Sequence, residues 1–95
     1  MRYVWDAKKA RLNKEKHGIA FSEAVRIFEQ DTFEQIDDRE DYGEERMFAM
    51  GLYRGQVAVV IYVDRGDTRR IISARKAKRH EEALFWQAKG GGPRR

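Results

Sequence analysis

The basic residues of this sequence gather in two places. Lys8, Lys9, Lys14, Lys16 and His17 crowd an early helix-forming stretch, and Arg70, Arg75, Lys76, Lys78 and Arg79 crowd a later junction of strand and helix. Arginine offers a planar fork of donors that matches phosphate oxygens, and lysine offers a compact point charge. A helix N-terminus adds free N–H groups and the positive end of a dipole. An RNA backbone fits such a surface, with His17 or a lysine moving protons. A phosphodiester breaks without metal when a base activates the 2′-hydroxyl and cations stabilise the transition-state charge. From residue types alone, the same set also serves phosphate binding without catalysis, and that reading needs fewer assumptions.

Other chemistries find little support. The chain has no cysteine, which removes thiolate metal sites, disulfides and cysteine nucleophiles. Its two histidines, His17 and His80, have no second ligand at a metal-binding spacing. Asp37, Asp38, Asp41, Glu44 and Glu45 are hard-cation candidates, but they lack the loop spacing of a calcium site and read better as a solvated acidic loop. Ser22 reads as a helix cap and Ser73 as a strand end, and neither sits in a nucleophile elbow. Phosphate-loop and dinucleotide fingerprints are absent. The sequence therefore predicts no metal and no cofactor.

Charge is segregated along the 95 residues, and this matters more than the net +4. Residues 1–20 carry a net +4, residues 23–45 a net −8, and residues 65–95 a net +7. If folding joins the two basic ends, one face becomes strongly positive and draws in polyanions. The acidic middle then either covers that face or docks a basic partner. No apolar run approaches the ~20 residues that span a bilayer. The N-terminus meets Asp6 and then lysines, unlike a secretion signal, so a cytoplasmic protein without membrane contact is expected.

The elements that must position these residues are legible in outline. Tyr3 to Trp5 reads as an edge strand. Asp6 caps a helix from Ala7 to His17 that Gly18 ends, and few apolar residues make it exposed and basic. Ser22 is expected to cap a second helix, with Ala24, Val25, Ile27 and Phe28 buried, that stops at Gln30-Asp31. Thr32 to Ile36 has strand character, and Asp37 to Glu45 reads as a loop. Strands follow at Arg46–Tyr53, Val57–Val63 and Thr68–Ala74, with a hairpin turn at Arg54-Gly55 and a second turn over Asp64–Asp67. A last helix is expected over Lys76–Lys89. The predicted class is α+β: an antiparallel β-sheet meander with two N-terminal helices and one C-terminal helix, as residues 1–89 of one domain, followed by a flexible tail at 90–95.

Two motifs then carry a resemblance. Trp5-Asp6, Lys9, Asn13, Lys16-His17-Gly18 and Phe21-x-x-Ala24 resemble the opening signature of the BrnT toxin family. Arg70-Ile71-Ile72-Ser73-Ala74-Arg75-Lys76-Ala77 followed by Glu81 is similar to its second signature, with Glu45-Arg46 and Gly51 in order between them. The similarity covers about residues 3–86. It implies a RelE-like fold and a ribonuclease toxin of a type II toxin–antitoxin system that arrests translation. It also implies a dimeric, DNA-binding antitoxin of the BrnA kind, which neutralises the toxin and, with it, represses their shared operator DNA.

Carried onto matching positions, the resemblance places Lys9, Lys16, His17, Arg46 and Arg75 in catalysis. Arg46 and Arg75 lead for transition-state stabilisation, and His17 or Lys16 leads for proton transfer. Lys8, Arg70, Lys76, Lys78 and Arg79 are the expected RNA contacts. Structural readings compete: His17 as a helix-end residue, Trp5 as core, and Lys9 as a partner of Asp6 or Glu45. Phe85 stands where many relatives carry tyrosine, so that tyrosine is either structural or a proton donor this chain lacks. The alternatives to the nuclease are a non-catalytic RNA-binding module and an interaction protein whose main task is co-repression through its antitoxin. The first lacks the Gly-Pro-containing loop of double-stranded-RNA-binding domains, since the only proline is Pro93.

Overall fold

In chain order the computed structural model contains β1 (Arg2–Val4), α1 (Ala7–His17), α2 (Phe21–Ala24), a 3₁₀ segment (Val25–Glu29), β2 (Phe33–Asp37), β3 (Arg46–Tyr53), β4 (Gln56–Arg65), β5 (Thr68–Lys76) and α3 (Arg79–Ala88). It describes residues 1–39, 41 and 43–90, so all of the expected tail except Gly90 lies outside the described residues. The strands form one five-stranded sheet in the order β1-β5-β4-β3-β2. The class is α+β, as expected.

β2 through β5 make the antiparallel meander, with short turns setting the direction of β4 and β5. Arg54 and Gly55 both have positive φ, 52° and 78°, the backbone a tight two-residue hairpin turn requires. The sheet as a whole is mixed, which corrects the purely antiparallel expectation. β1 lies parallel to β5, with Val4 beside Arg70. No short turn joins these two strands, so nothing local forces them antiparallel.

β4 shows why its sequence is apolar almost without interruption. Ala58, Val60 and Tyr62 face one core, shared with Phe21, Ala24, Ile27, Ile71 and Ala74. Val57, Val59 and Ile61 face a second core, with Phe48, Met50 and Phe85. Helices cover the sheet on both sides, so alternate side chains of the central strand find separate apolar partners. Trp5 packs on the first core with its ring 6.0 Å from that of Phe21, edge to face, and is structural.

Two helix boundaries depart from the sequence reading. The second helix begins at Phe21 with Ala20 at its N-cap and no side-chain cap, so Ser22 does not cap it. It tightens after one turn into the 3₁₀ segment. The three-residue step from Ala24 to Ile27, both fully buried, suits the 3₁₀ repeat. The last helix begins at Arg79 rather than Lys76. Lys76 still pairs with Ala58, and the Ala77 N–H continues the ladder to the Val57 carbonyl at 2.9 Å. Asp37, expected in the loop, is the last residue of β2, paired with Arg46.

Candidate active-site groove

α1 is defined at both ends by local bonds. The Asp6 carboxylate accepts the Lys9 N–H at 3.0 Å, and Gly18, at φ 76°, donates its N–H to the Lys14 carbonyl at 2.8 Å. These account for the helix but not for its placement. Its one buried residue, Asn13, does that. The Asn13 amide donates to the Ala74 carbonyl at 2.8 Å and the Ile19 carbonyl at 3.2 Å, and its oxygen accepts the Ala74 N–H at 3.2 Å. β1 pairs with β5 only as far as Arg70, so Asn13 takes over the open edge of β5 further along.

With α1 pinned there, Lys9, Leu12, Asn13, Lys16 and His17 line one open groove with Arg46, Ile72 and Ser73. Its volume is about 350 Å³. Lys9, Asn13 and Lys16 recur at helical spacing and share a face. Arg46 enters from the first residue of β3, far away in sequence. Four of the five expected catalytic residues therefore meet at one place. No carboxylate belongs to the groove wall among the described residues.

Arg75 is not part of this wall. Its Nη1 and Nη2 donate to the two Glu81 carboxylate oxygens at 2.8 and 2.9 Å, and Nη1 also reaches the Lys76 carbonyl at 3.3 Å. The pair is largely buried, with side-chain exposures of 19% for Arg75 and 12% for Glu81. This bond first, then the Lys78 N–H, holds the Glu81 carboxyl down at about 2. The charge of Arg75 still reaches His17. Partial burial, then Lys16 and Arg75, hold that imidazole below the ordinary histidine range. The shift favours the neutral imidazole, whose lone pair is able to accept a proton.

The expected RNA contacts are more dispersed. Arg70 is half-buried in β5; the Lys9 N–H chiefly lowers the Asp6 carboxyl and Arg65 that of Glu44, and the charge of Arg70 adds a little to both. Arg70 is not part of the groove wall. Lys8 is exposed on α1, Lys76 ends β5, Lys78 is the N-cap of α3 and Arg79 its first residue, all outside the groove wall. Two carboxylates of the acidic stretch bind arginines. Asp37 is gripped by Arg39 at 2.7 and 2.8 Å, and Glu44 by Arg65 at 2.6 Å. Among the described residues no group of three or more potential metal ligands comes together.

Phe85 is only 1% exposed and packs in the second core with Met50, Val57 and Val59. It lines no part of the groove, which favours a structural role for that position. Sequence reasoning gave no role to Asn13 or Ile72 and read Ser73 only as a strand end. The available signal for Asn13 was its place in the first signature. Nothing in the sequence alone brings Ile72 and Ser73 beside α1. On the opposite core, Arg69 stacks over Tyr62 and Phe28 at 4.0 and 4.7 Å while binding Asp64, and Tyr62 donates to Glu34. Burial and Glu34 push the Tyr62 hydroxyl far above its ordinary range, so this cluster is packing.

Fold and groove together describe a small α+β protein with a cation-lined site suited to a polyanion. Residues 5–81 match the family described as the ribonuclease toxin, BrnT, of type II toxin–antitoxin systems, and the chain belongs to that family. The family's activity implies RNA as substrate, and its system type implies an antitoxin as partner. No curated protein matches the chain. Among the described residues no helix is long and apolar enough to cross a membrane.

Proposed function

We propose that this chain is a RelE-like, metal-independent endoribonuclease that cleaves RNA in the groove beside α1 and so arrests translation. The observation that carries this reading is the convergence of Lys9, Lys16, His17 and Arg46 on one groove. Neutral His17 takes the proton of a 2′-hydroxyl, and the freed oxygen attacks the adjacent phosphorus. The 5′-oxygen leaves with a proton from Lys16 or Lys9, giving a 2′,3′-cyclic phosphate and a 5′-hydroxyl. Arg46 stabilises the charge gathering on the phosphoryl oxygens, and Arg75, two residues along β5 from Ser73 of the groove wall, adds to it. Lys9, Lys16 and Arg46 around the groove repel a bound cation, which favours this route over one through a metal. Lys8, Arg70, Lys76, Lys78 and Arg79 hold the flanking backbone.

Residues 1–89 form the toxin domain in this reading, and it acts in the cytoplasm. A dimeric, BrnA-like, DNA-binding antitoxin neutralises it, and the complex represses its own operator. The test is induction of the wild type and of an Arg46→Ala/Arg75→Ala variant in cells, with the purified proteins assayed on RNA with and without EDTA. Growth arrest and EDTA-resistant cleavage, both lost in the folded variant, are expected. RNA binding without cleavage in the wild type overturns the nuclease and favours a non-catalytic RNA-binding module.

A further inference from the structure

Arg75 does not hang freely beside the groove. Glu81, on the first turn of α3, holds both terminal nitrogens of the guanidinium, and its Oε1 also accepts the Lys78 N–H at 2.8 Å. The carboxylate therefore joins the end of β5 to the start of α3 and fixes the plane of Arg75 at the same time. A guanidinium has five N–H donors. Glu81 and the Lys76 carbonyl leave Nε–H and one Nη2–H without a bond among the described residues. A planar fork held at two points points its remaining donors in a fixed direction, which a lysine ammonium does not do.

We infer that Glu81 is a positioning residue for the reaction: Arg75 lies two residues along β5 from Ser73 of the groove wall, on the same face of the strand, and by clamping it at two points Glu81 holds its remaining donors in place for the phosphodiester bound there. The inference rests on the nuclease reading and adds a specific residue to it. A purely electrostatic role predicts the opposite sign. Removing a negative charge near a site for RNA favours RNA binding and helps cleavage. Removing a clamp instead lowers turnover while leaving affinity intact, because orientation matters most in the transition state.

The experiment compares wild type, Glu81→Gln, Arg75→Ala, the double variant and Arg75→Lys, each as the full chain. Cleavage is measured as kcat and KM per folded molecule, and binding with a 2′-O-methyl RNA that resists cleavage. Glutamine keeps an oxygen for the Lys78 N–H, so α3 retains its start. Glu81→Gln is expected to lower kcat roughly 10- to 100-fold with unchanged or tighter RNA binding. The double variant should cleave no worse than Arg75→Ala, since Glu81 acts through Arg75. Arg75→Lys should lose cleavage despite keeping the charge, and it decides the matter if Glu81→Gln does not fold. Wild-type kcat in Glu81→Gln, losses that multiply in the double variant, or full activity in Arg75→Lys each overturns the inference while the nuclease stands. A wild type that binds RNA without cleaving it overturns the nuclease reading itself, and this inference with it.

Discussion

Asn13 and Ala74 are 61 positions apart in sequence and share two hydrogen bonds, side-chain amide to carbonyl at 2.8 Å and backbone N–H to amide oxygen at 3.2 Å. The asparagine imitates a neighbouring strand. It satisfies the backbone of β5 where β1 has ended, and it holds the basic face of α1 beside Arg46. A single polar side chain thus couples the sheet edge to the groove.

Asn13→Ala removes three bonds and leaves the buried polar backbone groups of Ala74 without partners. A loss on the order of 2–4 kcal/mol is expected from urea denaturation. Cleavage should fall beyond what the unfolded fraction explains, because α1 loses its register. Full activity per folded molecule in this variant contradicts the placement role.

Cleavage should depend on the neutral form of His17. Its titration lies below the usual histidine value, so the working form persists below the ordinary pKa of about 6.5. The rate should rise with pH through that depressed value and then level, and His17→Gln should lose this acid limb. The sign for stability is the same. Between the depressed folded value and the unfolded one the unfolded chain binds more protons, so this contribution is present above the unfolded value and is lost as pH falls through the folded one. NMR titration of the imidazole protons checks both.

Gly51 lets β3 approach the 3₁₀ segment. A Cβ there would lie 2.7 Å from the Cβ of Ile27 and 3.2 Å from a methyl carbon of Thr32. Ile27 is fully buried and cannot yield, so Gly51→Ala should cost about 1–3 kcal/mol by thermal or denaturant unfolding. A neutral result would mean that the segment shifts outward without penalty.

Phe85→Tyr tests whether a hydroxyl on α3 contributes to chemistry. The ring is buried among apolar side chains, so an unpaired hydroxyl should destabilise by roughly 1–3 kcal/mol. No gain in cleavage is expected. A clear gain would restore that position as a proton donor and displace His17 or the lysines from the role.

Local chemistry wrote much of this protein directly. Asp6 and Gly18 mark α1 because capping and a left-handed stop depend only on neighbours in sequence. Arg54-Gly55 sets the β3–β4 hairpin for the same reason, and the apolar run of β4 announces a strand buried on both faces. The basic set and its two motifs named the family. What lay beyond the sequence is everything set by long-range pairing. β1 joins β5 in parallel because no turn links them, and Ser22 gives up its cap because Ala24 and Ile27 must be buried. Arg46 faces Lys9, Lys16 and His17 only because the register of β3, β4 and β5 and the reach of Asn13 put it there. Arg75 meets Glu81 only six residues on, where α3 begins, and so stays off the open groove wall. A helix face repeats every few residues and can be read along the chain. A site assembled across a sheet depends on which strands meet, and only the packed core decides that.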